Sequence, residues 1–124
     1  MKSSILAIVL ASTSVLAFGA DNASVSGKWK LNTNVAGNES EMVCTFTQKD
    51  ADFTATCKSE NGEGKGTGKI DGKKFTMKYE SEYNGSPVTS NYSGTLDSAT
   101  NKITGTVNVV EFSIDGDFTA APEK

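Results

Sequence analysis

From about residue 24 onward, apolar side chains return at every second position in short runs broken by turn residues, as in half-buried β-strands. Phe75-Thr76-Met77-Lys78-Tyr79 is the clearest case, with ring, thioether and ring on one face and polar groups on the other. Turn signals delimit runs at about 24–31, 38–47, 52–59, 64–70, 73–83, 87–96, 102–109 and 112–119. No stretch carries the apolar stripe of a helix. The pattern therefore predicts an all-β fold, an antiparallel up-and-down (meander) barrel of about eight strands.

Turn chemistry tests that reading, because each hairpin register must put the apolar residues of both strands on one face. Taking Asp71-Gly72 as a two-residue turn sets Gly68 against Phe75 and Gly66 against Met77. Taking Asn84-Gly85 as another pairs Met77 with Tyr92, Tyr79 with Ser90, Ser81 with Val88 and Phe75 with Gly94. The loop Ser98-Ala99-Thr100-Asn101 then sets Leu96 against Ile103, Gly94 against Gly105 and Tyr92 against Val107. A turn at Val110-Glu111 would bring Val107 to Ile114 and Gly105 to Gly116, although Val109 through Phe112 also suits a bulge or bend. That register aligns glycines across neighbouring strands and leaves room above the sheet for a large ring, for which Trp29 is the expected occupant.

The cysteines obey the same parity. A hairpin centred between Asp50 and Ala51 places Cys44 opposite Cys57, Phe46 opposite Ala55 and Gln48 opposite Phe53. Residues 1–19 read as a signal peptide: Lys2 gives the positive start, Ile5 through Ala11 the apolar stretch, and Ala17 and Gly19 the small residues before a cut. Residues 20–124 then form a single domain, secreted or periplasmic, with no membrane span after processing. Export brings an oxidising compartment, so a Cys44–Cys57 disulfide is expected.

Charge and composition narrow the chemistry. The chain has 15 acidic residues and 12 basic ones, all of them Lys, for a net charge of -3. Without Arg or a basic cluster there is no footprint for nucleic acid. The absence of His removes the usual base of a nucleophilic triad, and two cysteines without His make a poor zinc set. Carboxylates spaced two apart, such as Glu80 and Glu82, fall on the solvated face. No metal site, cofactor or catalytic residue is expected, and the protein reads as non-enzymatic. The polar inward positions Tyr79, Ser81, Ser90 and Tyr92 remain. They read either as a filled core in which Tyr and Ser satisfy one another, or as aromatic walls and hydroxyls orienting a small ligand.

Gly27-Lys28-Trp29 resembles the Gly-x-Trp of the first strand in lipocalins and avidins of the calycin group, and the eight strands with a Gly-Thr-rich later half are similar to that group. The chain has no lipocalin Thr-Asp-Tyr element and no Arg to cap the Trp. The resemblance implies a barrel with a small apolar or amphipathic ligand in its mouth, between Trp29 and the Tyr79/Tyr92 cluster with Ser81 and Ser90. Ser26-Gly27-Lys28-Trp29-Lys30-Leu31 followed by one disulfide is also similar to the small periplasmic barrel inhibitors of secreted metalloproteases. That resemblance implies a protease as partner and an inhibitory segment at Ala20 to Val25. A structural envelope protein without ligand is a third reading. In each case a monomer is expected.

Overall fold

A computed structural model describes residues 23–60 and 62–123, so the expected leader and its cleavage point lie outside the described residues. Eight strands follow one another: β1 (Gly27–Val35), β2 (Asn38–Lys49), β3 (Asp52–Ser59), β4 (Gly62–Asp71), β5 (Lys74–Tyr83), β6 (Ser86–Asp97), β7 (Lys102–Val109) and β8 (Ile114–Pro122). Each pairs antiparallel with the next, and β8 pairs back onto β1 with Leu31 opposite Ala120 and Thr33 opposite Phe118. The sheet is a closed barrel, the architecture that the alternation specifies.

Alternation decides which side chains enter. Trp29, Leu31, Cys44, Phe46, Phe53, Ile70, Phe75, Met77, Tyr92, Ile103 and Phe118 are all buried, while the intervening Thr and Lys positions are largely exposed. Cys44 lies opposite Cys57 and is bonded to it, with Cα atoms 4.0 Å apart. The β5–β6 hairpin turns on Asn84 (φ 53) and Gly85 (φ 83), both left-handed as a type I′ turn requires, and keeps Met77 against Tyr92 and Tyr79 against Ser90. Gly94 faces Gly105 across β6 and β7.

Two connections differ from the sequence reading. The β4–β5 turn is Gly72-Lys73, not Asp71-Gly72: Asp71 pairs with Lys74, Ile70 with Phe75, and Gly68 with Met77. Gly72 alone has positive φ (61), the type II′ pattern. The reason is packing, because the expected register would have put Lys73 on the inner face opposite Ile70. The observed one joins two side chains that are both fully buried, each contributing about 2 kcal/mol by burial. The β7–β8 connection is longer than the two-residue turn, and is the bend that Val109 through Phe112 also suits. A 3₁₀ turn spans Val110–Phe112, and Ser113 closes it in the left-handed conformation with its N–H donating to the Val110 carbonyl at 3.2 Å. Val109 therefore pairs with Ile114 and Val107 with Gly116, so that Gly105 meets Phe118 and not Gly116.

That shift changes the occupant of the glycine floor. A Cβ on Gly94 would stand 3.0 Å from the tip of the Phe118 ring and 2.6 Å from the Thr104 carbonyl oxygen. Phe118, not Trp29, lies over the paired glycines, and the β6 and β7 backbones approach too closely for a side chain at Gly105. Gly105→Ala is expected to lower stability by about 1–3 kcal/mol, visible as a reduced urea midpoint; an unchanged midpoint would refute the close approach. Replacing both Cys44 and Cys57 by Ala should cost about 3 kcal/mol through the lost loop constraint. Urea titrations of the oxidised protein and the double variant measure this, with far-UV circular dichroism confirming that the barrel persists.

Candidate functional site

An up-and-down barrel gathers alternate turns at each end. The lower end carries the turns at 50–51, 72–73 and 98–101 together with both described chain ends, and the upper end carries those at 36–37, 60–61, 84–85 and 110–113. The two ends are built differently.

The lower end is plugged. Residues 23–26 pass beneath the barrel, and Val25 is fully buried. Gln48 holds the segment there: its Oε1 accepts from the Val25 N–H at 2.6 Å, and its Nε2 donates to the carbonyls of Ala23 (3.0 Å) and Asp50 (2.9 Å). The Ala23 N–H donates to Gly72 O at 3.0 Å, and the Gln48 N–H to Ser26 Oγ at 3.1 Å. Of the segment 20–25 expected to enter a protease cleft, residues 20–22 lie outside the described residues and Ala23–Val25 are engaged in this plug. Gln48 was not singled out from the sequence. The available signal was an amide at an inward register position opposite Phe53, where it must find several partners.

Above the plug the interior is a column of rings. Trp29 contacts Phe46 (6.2 Å between centroids), Phe46 contacts Phe75 (5.9 Å), Phe75 contacts Phe118 (6.1 Å), Phe118 meets Tyr92 edge-on (5.0 Å), and Tyr92 meets Tyr79 (6.5 Å). Phe53 stacks on Phe75 at 5.1 Å. The residues proposed from sequence as a ligand mouth are thus distributed along the column. Tyr79, Ser90 and Tyr92 come together, with Tyr79 and Ser90 directly opposed, and Ser81 follows one inward step above Tyr79 opposite Val88. Trp29 stands at the other end of the chain of contacts, with three phenylalanines between it and Tyr92.

The Tyr79 cluster belongs to the upper end. Tyr79 is opposite Gly66, yet its ring leans over Gly64, where a Cβ would overlap the phenol. Its hydroxyl therefore sits nearer the 60–61 turn than its own Cα does. Tyr79, Tyr92 and Ser90 are 7%, 6% and 9% exposed, and among the described residues none of their hydroxyls makes a hydrogen bond. Burial pushes both phenols above the usual tyrosine range, Tyr92 most because it is the more deeply buried, with a smaller upward push from the Tyr79 phenol. Both remain neutral, able to donate and accept. Around them the upper end keeps apolar side chains half exposed: Val35 on β1, Met42 on β2, Val88 on β6 and Ile114 on β8. Val110 and Phe112 on the 3₁₀ turn are 46% and 53% exposed. Glu111 clips that turn to β6, accepting the Thr89 N–H at 2.7 Å, a bond that holds its carboxyl below the ordinary range.

An open groove of about 650 Å³ runs along β3 to β6, lined by the exposed Thr54, Thr67, Lys69 and Lys78 and by the buried Phe53, Met77 and Tyr92.

No protein-family model matches the chain, and no curated protein matches its sequence. The site therefore stands on its geometry.

Gln48→Ala removes both ends of the plug's amide clasp and leaves the Val25 N–H and Ala23 carbonyl without it. A loss of about 2 kcal/mol is expected, with amide exchange accelerating at Val25 and at residues of the 72–73 turn. Protection unchanged at Val25 would show that the segment is held by other means.

Proposed function

We propose that this is an exported, non-enzymatic binding protein of calycin type that holds a small apolar or amphipathic ligand in the upper end of its barrel, in the periplasm or outside the cell. One observation carries the reading: three hydroxyls, on Tyr79, Ser90 and Tyr92, are buried together without a hydrogen-bond partner among the described residues, next to an end whose apolar side chains are only half covered. A buried hydroxyl left unpaired costs about 1–3 kcal/mol, and native proteins contain few such groups. A ligand polar group meeting these hydroxyls would satisfy them, and its apolar part would cover Val35, Met42, Val88 and Ile114. Binding specificity of this kind needs few polar contacts on aromatic walls.

Ser81, half buried beside the cluster, extends the polar set toward the rim. Trp29 falls outside the proposed site because Phe46, Phe75 and Phe118 fill the space between. Its role is packing at the plugged end. The disulfide is compatible with an oxidising compartment and supports the export part of the reading.

The test is a pair of measurements on the exported protein and on its Tyr79→Phe/Tyr92→Phe variant. If the hydroxyls await a ligand, the ligand-free variant unfolds at higher urea than the ligand-free parent, by about 1 kcal/mol. Native mass spectrometry should then find a bound small molecule on the parent that the variant has lost. A destabilised variant would mean the hydroxyls are satisfied within the protein, and a bare parent mass would remove the retained ligand.

A further inference from the structure

The charges of the barrel are sorted by end. Within five residues of the four upper turns stand nine carboxylates and two lysines, Lys58 and Lys65. Within five residues of the three lower turns stand four carboxylates and six lysines. The upper carboxylates come from every turn: Glu39 and Glu41 beside the first, Glu60 and Glu63 at the second, Glu80 and Glu82 before the third, and Glu111, Asp115 and Asp117 at the fourth. Neutralisation among them is slight. Glu41 pairs with Lys30 at 3.4 Å, both partners well exposed, and Lys65 lies across from Glu80. The strand alternation that sends Tyr79 and Ser81 inward sends Glu80 and Glu82 outward, so the negative charge rings the same end that holds the hydroxyls without a partner among the described residues.

We infer that the ligand of the upper end is an amphipathic organic cation, a protonated amine or quaternary ammonium on an apolar body, selected by the acidic rim above the Tyr79, Ser90 and Tyr92 hydroxyls. The inference rests on the ligand-mouth reading and gives it a chemical class. Each component of the site answers one part of such a molecule. A ring of like charges around a low-dielectric opening concentrates cations there and repels anions. The neutral phenol and serine oxygens accept N–H bonds from an ammonium head, and the faces of Tyr79 and Tyr92 attract a cation that has no N–H to give. Below them the Phe118 and Phe75 rings fill the barrel, so the head stops at the level of the hydroxyls. The apolar body then lies along the half-covered Val88 and Ile114 and the exposed Val110 at the lip.

Octylamine, octanol and octanoate share one chain and differ in head charge, which makes them suitable probes. Titration calorimetry on the exported protein at low salt, followed by the tyrosine ring resonances in NMR spectra, should rank them amine, alcohol, carboxylate. The expected amine-over-carboxylate preference is about tenfold, the size a net charge of this sign produces at roughly 10 Å through water with partial screening. It should shrink at high salt. Glu80→Lys/Glu82→Lys, exposed on the outer face, should abolish or reverse the preference, with the fold checked by circular dichroism. Asp52→Lys/Asp71→Lys, an equal charge change at the lower end, should leave it in place. Equal binding of the three, or preference for octanoate, would overturn the cation assignment while leaving the mouth intact. Failure of all three to bind would overturn the mouth reading and this assignment together.

Discussion

An eight-stranded barrel encloses space for little more than the side chains its own strands send inward, and this chain fills that space by matching large rings to glycines. Phe118 lies over the Gly94–Gly105 pair, Tyr79 over Gly64, and Phe53 against Gly68. Each ring gains its position because the facing strand offers no Cβ. The closure of β8 onto β1 follows, since Phe118 can cover the glycine floor only when β8 sits at the register that pairs Thr33 with it. The aromatic column, the barrel seam and the shape of the upper end are thus one packing solution.

The same arithmetic separates a saturated end from an unsaturated one. At the bottom, the inward amide of Gln48 meets the Val25 N–H and the Ala23 carbonyl of the plug segment and the Asp50 carbonyl of the adjoining turn, so its polar atoms are satisfied. At the top, the hydroxyls of Tyr79, Ser90 and Tyr92 are buried without such complements among the described residues. A polypeptide selected for stability alone would place Phe and Ala there. Tyr and Ser at these positions bring into the interior three polar groups that Phe and Ala would not.

Parity made most of this legible in the sequence. The Cys44–Cys57 register, the Asn84-Gly85 turn and the loop at 98–101 each leave one arrangement that keeps apolar residues on one face with acceptable turn residues, and the structure has those arrangements. The two connections that differ did so by a slide of two residues, which leaves every side chain on its original face and so escapes any argument from alternation. Only specific packing distinguishes the alternatives: Ile70 against Phe75 in one case, and Phe118 over Gly105 in the other. The candidate site divides the same way. Tyr79, Ser90 and Tyr92 are adjacent because register makes them so. The distance between Trp29 and that cluster depends on how the rings stack along the barrel axis, and neighbour pairing carries no information about it.

The covalent link has a limited reach. Cys44 and Cys57 are thirteen residues apart and join adjacent strands of one hairpin, whereas the β1–β8 seam unites segments from opposite ends of the domain. Oxidation therefore secures a local piece, and leaves the entropically more demanding closure of the seam to hydrogen bonds and ring packing. The cross-link can therefore be made while the chain is still an open, curling ribbon, with no need of access to the finished cylinder.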